Sequence, residues 1–145
     1  LPEGAKRTME GGVTIEVLRA APPGAMIAVK GQVVKLIYEG KLPAKQNRRF
    51  DNGDVDFILG DGSMVSGFDI GVKGMGVGEK RRMHIPSKQG YGKKGRKPKV
   101  PPHADLIYDV VLESTGCDWK DYTFKNMSTQ RRETARQTRR KGKKT

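Results

Sequence analysis

Apolar residues in this chain recur mostly at every second position, the period of a strand with one buried face. Val13, Ile15 and Val17 alternate with Thr14 and Glu16, and Val34, Leu36 and Tyr38 flank Lys35 and Ile37. Residues 55–59, then Lys80–Ile85 with Met83 and Ile85 on one side, then Leu106, Tyr108, Val110 and Leu112 complete the series. The breaks carry turn chemistry. Ala21-Pro22-Pro23-Gly24 ends the first strand, residues 39–49 read as a polar loop, and Phe50-Asp51-Asn52-Gly53 holds a turn signal. One segment has helical spacing instead. Phe68 and Val72 lie four apart, Ser66 is placed to cap the N-terminus, and Gly71 and Gly74 keep the helix short. Five strands and one short helix predict an α+β fold: an antiparallel five-stranded sheet with the helix packed on one face.

The same pattern sets the organisation. Residues 1–12 are polar and Gly-rich and read as a linker, residues 13–115 form the domain, and the alternation stops after Glu113. Charge sharpens that boundary. The chain carries a net +13; residues 1–115 hold nineteen Lys/Arg against thirteen Asp/Glu, and residues 116–145 hold ten against three. The last fifth of the chain therefore carries over half of the excess. Such a density suits nucleic acid, an anionic surface or an acidic partner; the plainer alternative is a solvated tail that aids solubility. Arg131, Arg132, Arg136, Arg139, Arg140, Lys141, Lys143 and Lys144 fall within fourteen residues. They are placed to neutralise phosphates of RNA or DNA without reading sequence, and they also read as a nuclear address.

The remaining composition excludes several classes. A single cysteine, Cys117, leaves no internal disulfide and fits a reducing compartment. No apolar run approaches the roughly 18 residues of a bilayer span, so no membrane is expected among the partners. The chain begins at Leu1 rather than Met and reads as a fragment or processed form. Gly71, Gly74, Gly76 and Gly78 sit between a short helix and a strand, the reverse of a dinucleotide loop. Asp51, Asp54 and Asp56 lack the glycine and closing glutamate of a calcium loop, and His84 and His103 lack metal-ligand spacing. Neither a metal nor a cofactor is expected.

What remains is aromatic. Tyr38, Phe50, Phe57, Phe68, Tyr91 and Tyr108 are six of the nine aromatic residues. They fit either a packed core or the lining of an apolar pocket. For Phe57, on an alternating strand, core is the plain reading. Tyr91 is harder to explain that way, because glycines on both sides suggest a loop that presents its ring.

The stretch VSGFDIGVKGMGVGEKRRMHIPSKQGYGKKGRKPKVPPHADLIYDVVL, residues 65–112, resembles the FKBP-type peptidyl-prolyl isomerases. The resemblance runs from about Gly12 to Ser114 and implies an FKBP-like sheet wrapped on the helix. It implies catalysis of X–Pro rotation in proline-containing peptide or protein clients, with Tyr38, Asp51, Phe68 and Tyr91 as the catalytic set. Tyr38 and Asp51 form one wall with Phe50 at the mouth, Phe57 and Tyr108 stand behind, and Phe68 is the floor. Met64 and Val65 line the side, with the Val65 N–H pointing inward, and Tyr91 offers its hydroxyl to a substrate carbonyl. By resemblance the pocket also takes macrolide inhibitors such as rapamycin.

Departures from the family pattern are visible. The floor, often Trp, is Phe68; the segment from Asp51 to Phe57 lacks the usual bulged insertion; and the loop after Tyr91 carries Lys93, Lys94, Arg96, Lys97 and Lys99. Gly78-Glu79-Lys80-Arg81-Arg82 and Gly90-Tyr91-Gly92-Lys93-Lys94 look most like the basic nuclear and nucleolar members. A rival reading keeps the fold but makes it a binding module that docks to RNA or a ribonucleoprotein or ribosomal assembly, organellar or cytosolic, with weak isomerase activity.

Overall fold

The computed structural model describes residues 1–118, the side chains of Cys117 and Asp118 excepted. Strands β1 (Lys6–Thr8), β2 (Thr14–Arg19), β3 (Gln32–Leu42), β4 (Arg48–Ile58), β5 (Lys80–Ile85) and β6 (Leu106–Asp118) pair antiparallel in the order β1-β2-β5-β6-β3-β4. One helix, α1 (Ser66–Val72), lies against the sheet. The α+β architecture is the one the sequence pattern implies, with one strand more than expected. That strand, β1, is fully exposed and pairs Lys6 with Glu16 and Thr8 with Thr14, so part of the presumed linker extends the sheet edge. Its polar residues carry no alternation to announce it.

Two strands are longer than their apolar runs suggest. β3 continues through Gly40 and Leu42, both buried, and β4 begins at Arg48, so only residues 43–47 connect them. The reversal is made by Gln46 and Asn47, both at φ 59°, and Asn52-Gly53 lies inside β4 opposite Glu39 and Tyr38. Charged Glu39, Lys41 and Arg49 disguise this hairpin in the sequence; they pair with one another on its surface. β6 likewise runs to Asp118, opposite Gln32, three residues beyond the expected domain edge at 115.

The core lies between the sheet and α1. Ile15, Val34, Leu36, Met83, Ile85, Leu106, Val110 and Leu112 supply its sheet side and Phe68, Val72 and Met75 its helix side. α1 approaches closely because a Cβ at Gly67 would strike Ile85 and one at Gly71 would strike Met83. Val65, not Ser66, occupies the N-cap; the Ser66 hydroxyl instead donates to the Gln89 side chain. The other end of α1 rests on a buried ion pair. Arg81, only 1% exposed, donates from Nε to Glu79 Oε2 at 2.6 Å and from a guanidinium nitrogen to the Gly71 carbonyl at 2.9 Å. Glu79 accepts the Gly76 N–H at 3.1 Å. Strand alternation thus turns Arg81 of the Lys80-Arg81-Arg82 run inward, where it satisfies helix-end carbonyls.

Candidate active site

Phe68, in the first turn of α1, sits at the centre of an aromatic cluster built from three strands. Its ring centroid is 4.9 Å from Tyr108 on β6, 6.0 Å from Phe57 on β4 and 6.1 Å from Tyr38 on β3. Phe50 extends the cluster, 5.7 Å from Tyr108. All these contacts are edge-to-face, the arrangement that sets a ring's positive edge on its neighbour's negative face. Gly40 makes room, since a Cβ there would lie 2.8 Å from both the Phe50 and Tyr108 rings.

A bulge arranges the mouth. Gly40 pairs with Asp51 and Lys41 with Arg49, leaving Phe50 without an opposite residue. An unpaired residue bends the strand and re-aims its side chains. Here it brings consecutive Phe50 and Asp51 to the same concave side: Phe50 packs on Tyr108, and Asp51 accepts a hydrogen bond from the Tyr38 hydroxyl at 3.2 Å.

On the other side of the mouth, Met64, Val65 and Tyr91 are half-buried against the core. The Val65 carbonyl accepts the Phe68 N–H at 2.9 Å, while the Val65 N–H donates to no group among the described residues. The glycines beside Tyr91 have different tasks. Gly90 approaches Leu106, where a Cβ would lie at 2.9 Å, and Gly92 turns at φ 58°. The Tyr91 hydroxyl accepts a hydrogen bond from Arg96 at 3.1 Å, and the Arg96 guanidinium lies 5.6 Å from the Tyr91 ring centroid. Burial first, then the charge and hydrogen bond of Tyr91, hold the Tyr108 phenol far above its ordinary value, so this hydroxyl stays neutral.

The structure places Tyr38, Phe50, Phe57, Phe68 and Tyr108 in one aromatic cluster, sets Asp51 against Tyr38, and packs Met64, Val65 and Tyr91 against the core. Phe57 and Phe68 have no exposed surface and Tyr108 has 1%. Met64, Val65, Tyr91 and Asp51 are half-buried and reach the surface. One residue in contact with Tyr91 is absent from the set named from the sequence. Arg96 counted only as one of several loop cations, and nothing in its spacing pairs it with Tyr91. Val100, 1% exposed, closes a cleft beside Phe50. The eight cations Arg131, Arg132, Arg136, Arg139, Arg140, Lys141, Lys143 and Lys144 lie outside the described residues.

The model of the FKBP-type peptidyl-prolyl cis-trans isomerases matches residues 24–113, and the chain belongs to that family. Over 113 residues it is 38% identical to the 46 kDa FK506-binding nuclear protein of Spodoptera frugiperda, covering 75% of this chain and 27% of that protein. Over 110 residues it is 40% identical to the Arabidopsis thaliana peptidyl-prolyl cis-trans isomerase FKBP53, covering 73% of this chain and 23% of that protein. The chain thus spans about a quarter of the length of these two relatives. A crystal structure of a peptidyl-prolyl cis-trans isomerase from Pseudomonas syringae pv. tomato matches with a TM-score of 0.68 at 24% identity, covering 77% of this chain and 80% of that one, which supports the fold.

Proposed function

We propose that this chain accelerates cis–trans rotation of X–Pro bonds by taking the prolyl ring into the aromatic pocket. The observation that carries the reading is the cluster centred on Phe68, rimmed by the Tyr38–Asp51 hydrogen bond and the undonated Val65 N–H. An amide resists rotation by about 18–20 kcal/mol because resonance gives C–N double-bond character. The planar form is the more polar one, and an apolar site disfavours it relative to the twisted form. Only that difference between ground and transition state raises the rate. The Val65 N–H and Tyr91 hydroxyl then hold flanking carbonyls, Asp51 orients Tyr38, and no proton moves. Phe68 has no exposed surface, so a prolyl ring touches it only by displacing atoms that cover it.

Macrolides of the FK506 type are proposed to compete for the pocket, in keeping with the name of the Spodoptera frugiperda relative. Nuclear placement is proposed on the same name and on the net charge of +13, with residues 116–145 as the arm that meets nucleic acid. The test is exchange of a neutral X–Pro peptide, followed by NMR, with and without FK506. Acceleration abolished by FK506 supports the reading. No acceleration by folded protein leaves the docking-module reading in its place.

A further inference from the structure

The pocket rim is strongly cationic on one side, and the cations line two clefts that flank Phe50. One, of about 170 Å³, lies between Phe50 and Asp51 on β4 and the segment from Arg96 to Val100. The other, of about 260 Å³, is lined by Arg48, Arg49, Phe50, Pro98 and Lys99. They share Phe50, Pro98 and Lys99, so they adjoin and together make a basic groove with Phe50 and Pro98 in its apolar lining. Arg48, Arg49, Arg96, Lys97 and Lys99 are all exposed. Arg49 is partly engaged by Glu39 at 3.5 Å; among the described residues Arg48, Arg96, Lys97 and Lys99 form no ion pair. The one acid in the groove, Asp51, accepts from Tyr38.

We propose that this groove selects X–Pro segments flanked by anionic side chains, carboxylate or phosphate. The inference rests on the isomerase reading and specifies its substrate class. Position carries it: Phe50 lines both clefts and is a member of the pocket's aromatic cluster. A peptide with its proline in the pocket must therefore pass these cations within a residue or two, at about 3.3 Å per extended residue. Size favours a peptide over nucleic acid, since each cleft holds one or two side chains. Base stacking would also need an open aromatic face. Phe50 is 5% exposed, and Arg96 already lies over Tyr91. Several unpaired cations on one rim favour anionic ligands in encounter and in register, and they do so less as salt rises.

The experiment compares peptides of one X–Pro core flanked by Gln, Glu, phosphoserine or Lys, using the full chain. Both kcat/KM and, by fluorescence anisotropy, binding are measured. Residues 116–145 carry a further net +7, so wild type is compared with Arg48→Gln/Lys97→Gln/Lys99→Gln, in which that segment is unchanged. Glu and phosphoserine peptides should exceed the Lys peptide by about tenfold, through KM, with a smaller ratio at high salt. In the triple variant the ratio should fall toward one. A phosphoserine peptide well above Glu assigns the groove to phosphate; equality assigns it to either anion.

Equal handling of Glu and Lys flanks, or a preference that survives in the triple variant, overturns the proposal. An RNA oligonucleotide whose binding is weakened by the triple substitution, with no charge preference among peptides, reassigns the patch to nucleic acid. Failure to turn over even the Gln peptide strikes the isomerase reading instead, and the anisotropy series still reads the charge preference.

Discussion

Arg96 lies across Tyr91, donating to its hydroxyl at 3.1 Å with the guanidinium 5.6 Å from the ring centroid. One contact pins the ring and the other takes a lone pair of the hydroxyl oxygen. The hydroxyl has one proton to donate, and accepting from Arg96 leaves it available. Tyr91→Phe removes that donor and the Arg96 acceptor together. The expected loss is about 0.5–1.5 kcal/mol of transition-state binding, or roughly twofold to tenfold in kcat/KM. Peptide exchange rates with matched thermal melts check it.

How much of this was legible depends on the side chain. Alternating runs such as Leu106, Tyr108, Val110 and Leu112 declare their buried face, because a strand turns successive side chains to opposite sides. Tyr38, Phe57 and Tyr108 were legible for the same reason, whereas Phe68, on the helix, and Tyr91, between glycines, were singled out by their local pattern and by resemblance. The bulge at Phe50 was hidden, since nothing in Arg49-Phe50-Asp51 tells a turn from an extra strand residue. The burial of Arg81 was hidden too. A basic triplet looks like surface until the helix-end carbonyls of Gly71 and Lys73 are placed above it.

Phe68→Ala should damage both stability and turnover. The ring is fully buried and touches three other aromatic rings, so its deletion leaves a cavity costing about 3–5 kcal/mol. Chemical denaturation gives the stability loss. Peptide exchange, measured where the variant is still folded, gives the loss at the site. Unchanged exchange would remove Phe68 from the pocket.

Arg81→Ala should destabilise the fold without touching the rim. It strands Glu79 as a buried charge and frees the Gly71 carbonyl, and removal of one partner of such a pair costs about 3–5 kcal/mol. A loss below about 1 kcal/mol in denaturation would mean that water replaces the guanidinium.

Acid should cost the sheet one identifiable contribution. Burial alone would raise the Asp109 carboxyl, but hydrogen bonding and charge from Arg82, at 2.8 and 3.1 Å, and the charge of Lys41 hold it below the ordinary range. The native state therefore binds fewer protons than the unfolded chain just below that range. The stabilisation is complete above about pH 4 and is lost as pH falls through the lowered native value. Asp109→Asn should melt below wild type at neutral pH, and the gap should close toward about pH 2. A gap that does not change with pH would assign the loss to packing.

The central claim is rotation without proton transfer in an apolar aromatic pocket. Its most direct test is the wild-type exchange rate of a neutral X–Pro peptide, followed by NMR from about pH 5.5 to about pH 8.5 in protein shown to stay folded. The account predicts clear acceleration at every pH with little change across the range. A bell-shaped or steeply titrating profile would contradict it, and so would the absence of acceleration.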